Sequence, residues 1–129
     1  MTIEQQVAQY LATTITTPAL TVGTNLFIST MPPKPDELCV MVVNTGGPEA
    51  DTYTPIRQVS IQVSVRASVY DTGSSVINSA FNALHQKHDQ IVLVAGQTDV
   101  MQSMAMQEPT YIGQDTNQRY MFTCNFIIT

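Results

Sequence analysis

Apolar and polar residues alternate from Arg57 to Tyr70, in the stretch RQVSIQVSVRASVY. Val59, Ile61, Val63, Val65, Ala67 and Val69 take the odd positions, and Gln58, Ser60, Gln62, Ser64, Arg66 and Ser68 the even ones. Successive side chains of a strand point to opposite faces, so the pattern predicts a β-strand with one apolar and one polar face. Fully extended it would run about 45 Å, well beyond the usual strand. The polar face is nearly uncharged. It meets either water or another subunit, and alternation alone decides neither. Asp71-Thr72-Gly73-Ser74-Ser75 stops the strand with turn and capping residues.

Elsewhere the periods differ. Ile3, Val7, Tyr10, Leu11 and Ile15 recur at spacings of three and four, which predicts a helix over 2–16. Thr2 and Gln5 stand at the positions of a capping box, and Gln5, Gln6 and Gln9 lie off the apolar stripe. Strands are predicted at Asn25–Thr30 and at Leu38–Asn44, the latter apolar at nearly every position and so expected to be covered on both faces. MPPKPDE between them is a stiff, extended connection, because proline locks φ and removes donors. Asn44–Pro55 reads as a long, turn-rich loop holding Gly46-Gly47-Pro48, Glu49 and Asp51. Val76, Ile77, Ala80, Phe81, Leu84 and His88 share a helical face, which predicts a second helix over 73–88. Strands follow at Gln90–Ala95, Asp99–Gln107 and Asn117–Ile128, with Pro109 to Thr116 turning the chain. The order α-β-β-β-α-β-β-β predicts an α+β fold: one mostly antiparallel, mixed sheet with two helices packed on one face, in a single domain over 1–129.

Composition sharpens this picture at two points. Hydrophobic residues make up 43 % of the 129, enough for a core, while only 12 % are charged, about half the usual share. A weakly charged surface is poorly protected against association. The net charge is −5 with five Lys and Arg in all, which argues against tight nucleic-acid binding because that needs several phosphate contacts. No apolar run approaches the ~20 residues of a membrane span, and the N-terminus lacks the basic-then-apolar order of a signal peptide, so a soluble chain made in the cytoplasm is expected. Cys39 and Cys124 have no CxxC partner and are expected to be buried, reduced thiols.

Candidate chemistry is sparse. Asp71-Thr72-Gly73-Ser74 resembles the Asp-Thr-Gly-Ser element of aspartic proteases, which in a small chain requires a dimer. The competing expectation is that Asp71, Thr72 or Ser74 caps the next helix, since that element needs strands after it and VINSAFNALHQK is amphipathic at helical period. His85 and His88 could share a helix face, but zinc needs a further ligand, and a helix C-terminus favours His85, Lys87 and His88 through its dipole. Gly46-Gly47 matches no phosphate-binding pattern and predicts a turn with positive φ. Met101, Met104 and Met106 are expected to fill core space. No cofactor, no metal and no catalytic residue is expected.

Residues 31–73 resemble the tail-terminator and minor capsid (head–tail joining) proteins of long-tailed bacteriophages. The elements that carry the resemblance are Pro35-Asp36, Thr45-Gly46-Gly47, Pro55, the Gln/Arg-bearing alternation from Gln58 to Arg66, and Tyr70-Asp71 leading into a helix. The resemblance implies a structural virion protein at the head–tail interface, not an enzyme. It implies a homo-oligomeric ring, usually a hexamer, that caps the head-proximal end of the tail tube. Its implied partners are the tail tube protein and the head connector, with DNA passing through the lumen without specific binding. The neighbouring alternative is another head-completion or connector protein; the alternative of a different class is the protease dimer through Asp71. The expected contact surface comprises Thr45, Gly46, Gly47, Pro48, Glu49, Asp51, Gln58, Ser60, Gln62, Ser64 and Arg66. Changing Gln62 and Arg66 to Glu is expected to leave the subunit folded and to block ring closure.

Overall fold

The structure is a computed structural model that describes residues 2–16, 18–34, 37–47, 57–85, 87–96 and 99–129, with the backbone alone for 87–91, 99 and 101. Among these are two helices, α1 (Ile3–Thr14) and α2 (Tyr70–Leu84), and seven strands: β1 (Leu26–Ile28), β2 (Leu38–Gly46), β3 (Val59–Ala67), β4 (Lys87–Val92), β5 (Asp99–Ala105), β6 (Thr110–Gln114) and β7 (Tyr120–Ile128). The fold is α+β, and the elements follow the predicted order. The short strand β6 lies inside the stretch expected to be only a turn.

The strands form one sheet in the order β1-β2-β3-β7-β5-β4, with β6 on the same edge of β7 as β5. The pairs are antiparallel except β1 and β2, so the sheet is mixed. β3 is central because it is the strand whose alternation both neighbours can match. Val65 lies between Val40 and Phe122, and Val63 between Val42 and Cys124. Ile61, Val63, Val65 and Ala67 are fully buried, each of the larger ones contributing about 1.5–3 kcal/mol by leaving water. Both helices cover this face, α1 with Val7, Ala8 and Leu11 and α2 with Val76, Ile77, Ala80 and Leu84 in the same core cluster.

Several boundaries differ from the sequence-based expectation. β3 covers nine residues, about 30 Å at the usual rise, and not the whole alternating stretch. Its pattern continues past Ala67, but Ser68 and Val69 bend into α2, which begins at Tyr70. β2 runs on to Gly46 and ends in a register shift opposite Ile61 and Ser60. Gly46 and Gly47 take φ of 103° and 128°, as a glycine turn requires. α1 has the predicted capping box: the Thr2 hydroxyl accepts from Gln5 N–H, and Gln5 Oε1 accepts from Thr2 N–H. Gln6, expected off the apolar stripe, is instead buried. α2 stops at Leu84, and Lys87 and His88 belong to β4, which starts earlier than predicted.

The proline segment has a topological role. β1 and β2 are parallel neighbours, so the chain must return the length of the strands between Ile28 and Leu38. Such crossovers usually contain a helix. Here the described residues 30–34 of the connection form a strap with no helix. Arg66 Nη2 donates to Pro32 O at 2.6 Å, and Arg66 projects from the face of β3 that the helices do not cover. The strap therefore crosses the polar face of the sheet.

Candidate assembly surface

The even-numbered side chains of β3 divide by depth. Gln58 is exposed and Ser60 and Gln62 are half-buried, while Ser64 and Arg66 are buried, at 7 % and 4 % exposure. Gln62 Nε2 donates to Thr123 Oγ1 at 3.0 Å, tying β3 to β7 diagonally across the face. Arg66 is held beneath the strap, and Arg119 joins it there: Nη1 donates to Pro33 O at 2.6 Å and Nε to Asp115 Oδ2 at 2.8 Å. Two backbone N–H groups, of Asn117 and Arg119, also donate to Asp115, and these bonds hold its carboxyl below the usual range. Proline carbonyls accept but their nitrogens cannot donate, so two arginines suit a strap of this composition. This overturns part of the predicted surface. Ser64 and Arg66 are inside the subunit, and Glu at position 66 would bury a carboxylate where a guanidinium now binds the strap.

The upper end of the sheet is where β2 ends and β3 begins. Thr45, Gly46 and Gly47 are exposed beside Arg57 and Gln58. Thr45 Oγ1 donates to Ser60 O, and Asn44 Oδ1 accepts from Gly46 N–H. Gly47 lies flat on β3: a Cβ there would meet Gln58 O at 2.7 Å. Pro48, Glu49 and Asp51, also expected in the contact surface, lie outside the described residues, as do Pro35-Asp36 and Pro55.

The lower end holds a feature that the sequence did not signal. Tyr70 packs edge-on against Tyr111, Tyr120 and Phe122, with ring centroids 5.4, 5.7 and 5.2 Å away. Phe122 is buried, but Tyr70 and Tyr111 are 45 % and 43 % exposed. Val69 and Ile112 flank them at 54 % and 56 %. These four aromatic residues come from α2, β6 and β7, and no local spacing brings them together.

The other candidate groups have plain structural roles. Asp71 is in the first turn of α2, where a carboxylate complements the helix dipole. The N-cap is Val69, with no side-chain hydrogen bond, so the predicted cap at Asp71, Thr72 or Ser74 does not form. Residues 70–84 are helical where the protease element needs strands. His85 ends α2, stacks on Phe81 at 4.6 Å, and through Nδ1 accepts from Ala105 N–H at 3.1 Å. His88 is in β4, so the two do not share a helix face. Among the described residues no group of three or more His, Cys, Asp and Glu comes together.

Cys39 and Cys124 are free and fully buried. Cys39 pairs with Arg66 and Cys124 with Val63, so they project from opposite faces of the sheet and cannot join. Burial raises the Cys39 thiol, with Arg66 and Arg119 pulling it back. Burial, with a smaller push from the Glu108 carboxylate, raises Cys124 to about 11. No described helix is long and apolar enough to cross a membrane.

Compared with known proteins, residues 10–129 match the model of a family described as bacteriophage tail terminator protein. No curated protein matches the chain.

Proposed function

Because this chain belongs to the bacteriophage tail terminator family, a structural component of the phage tail, we propose that it works as a ring. Copies of the chain close into a homo-oligomer, a hexamer in the simplest reading, that caps the head-proximal end of the tail tube and joins it to the head connector. The observation that carries this reading is the family match over nearly the whole chain, together with a surface that carries few cations. Of five Lys and Arg, Arg66 and Arg119 are spent inside the subunit on the proline strap. The net charge is −5, which favours a lumen that DNA traverses without sticking. The exposed upper rim, Thr45 to Gly47 with Arg57 and Gln58, supplies one contact surface, since a closed ring needs two different faces on each subunit.

Light scattering on the purified chain and negative-stain images test the proposal. A closed ring of about six copies is the expected result, as cyclic assemblies form closed point groups. A chain that stays monomeric at high concentration would refute it. Deleting the gene should give tails of uncontrolled length that fail to join heads.

A further inference from the structure

We propose that the aromatic lower end of the sheet receives the upper end of a second copy of this chain, with Arg57 of one copy seated against Tyr70, Tyr111 and Asp71 of the next. The inference rests on the self-assembly proposed above and names the surfaces that carry it.

Four of the seven large hydrophobic residues exposed among the described residues, Val69, Tyr70, Tyr111 and Ile112, gather at this end. Single exposed apolar residues are ordinary, whereas a cluster marks a contact site. The cluster continues the core outward through Phe122, so its rings are held by packing and lose little freedom on binding. Asp71, exposed in the first turn of α2, borders it. Exposed tyrosine rings beside a carboxylate favour a cation, and an arginine best of all, because a guanidinium stacks on a ring and binds a carboxylate at once.

An exposed arginine stands at the opposite end of the sheet. Arg57 lies two residues before β3, and Tyr70 lies three residues beyond its end. The nine-residue strand between them spans about 30 Å, so the two groups cannot meet within one copy. They can meet between copies in a head-to-tail contact, the kind that closes rings.

Strand addition at a sheet edge is the competing way to join copies, and the edges resist it. β1 has three residues and runs into Ser29 at φ 65°, while β4 and β6 carry register shifts at His88/Ile91 and Tyr111/Gly113. Short and bulged edges pair poorly with a further strand. The contact therefore falls to the two ends.

The test compares wild type, Asp71→Arg, Arg57→Asp and the combined variant as full-length chains, by native mass spectrometry and light scattering over a concentration series. Circular dichroism checks folding; all the altered positions are exposed. Each single variant should weaken assembly about tenfold or more, and the combined variant should recover most of it. Wild-type rings with undisturbed single variants would overturn this contact and leave the ring itself standing. Single variants that weaken assembly without rescue in the combined variant would also overturn it. A monomeric wild type would overturn both.

Discussion

Gly73 shows how one residue sets the fit between helix and sheet. In a helix interior, replacing Gly by Ala usually stabilises by up to about 1 kcal/mol. Here a Cβ would lie 2.5 Å from Phe122 Cε2 and 3.3 Å from Ala67 Cβ, and Phe122 is packed against Tyr70 and Tyr111, so making room would disturb several rings. Overpacking therefore wins, and Gly73→Ala should lower stability by about 1–3 kcal/mol, read by urea denaturation. The cysteines make a second prediction at this scale. The unfolded Cys124 thiol ionises near the ordinary thiol value of 9.0, and the folded one only at about 11. Burial thus favours the folded state below pH 9, and that contribution is lost as pH rises toward 11. Native protein at pH 8 should not react with Ellman's reagent, and stability measured against pH should fall on the alkaline side of 9. Little of this was legible from composition. A cysteine in an apolar strand suggests burial, but which face it takes depends on register.

At the scale of elements, the strap decides what the polar face of β3 is for. Alternation told correctly which residues share a face. It was silent on whether that face is covered, because the cover comes from the strap at Pro32 and Pro33, brought over it by the parallel pairing of β1 and β2. The depth gradient from Gln58 to Arg66 makes the consequence measurable. Gln58→Glu changes an exposed side chain and should cost less than about 0.5 kcal/mol. Arg66→Glu puts an unpaired carboxylate against the Pro32 carbonyl and should cost about 3–5 kcal/mol, read by the same denaturation. Cys39 lies under the strap and pairs with Arg66, so the Arg66 variant should expose it to alkylation before Cys124. The boundary errors share this origin. The alternation predicts a strand as far as Tyr70, a turn from Asp71 and a helix only from 73, whereas α2 begins at Tyr70. Packing of Gly73 on Phe122 and Ala67 pulls that segment into α2 one turn early.

At the scale of the whole molecule, charge is distributed more unevenly than the total implies. With Arg66 and Arg119 buried and Asp115 paired to Arg119, at most three of the five cations remain against nine other acidic residues. The assembled protein should not retard duplex DNA in a gel at physiological salt, because binding there needs several simultaneous phosphate contacts. Retardation persisting above about 0.15 M salt would contradict the proposed acidic lumen. The two ends of the sheet also differ in kind: the upper is polar with exposed glycines and Arg57, the lower aromatic. Two unlike ends on one subunit suit a heterologous contact, in which a surface meets a different surface on its neighbour.

The element types, their order, the apolar face of β3, the capping box of α1 and the glycine turn at Gly46-Gly47 are consequences of local period and local backbone chemistry. Each was readable because it depends on residues only a few positions apart. The covered half of the polar face, the opposed cysteines, the clamp of Arg66 and Arg119 on the strap, and the aromatic end were decided only by tertiary structure. Each joins residues tens of positions apart, as Arg119 and Pro33 show. Strand register and crossover path bring such residues together, and no period along the chain encodes either.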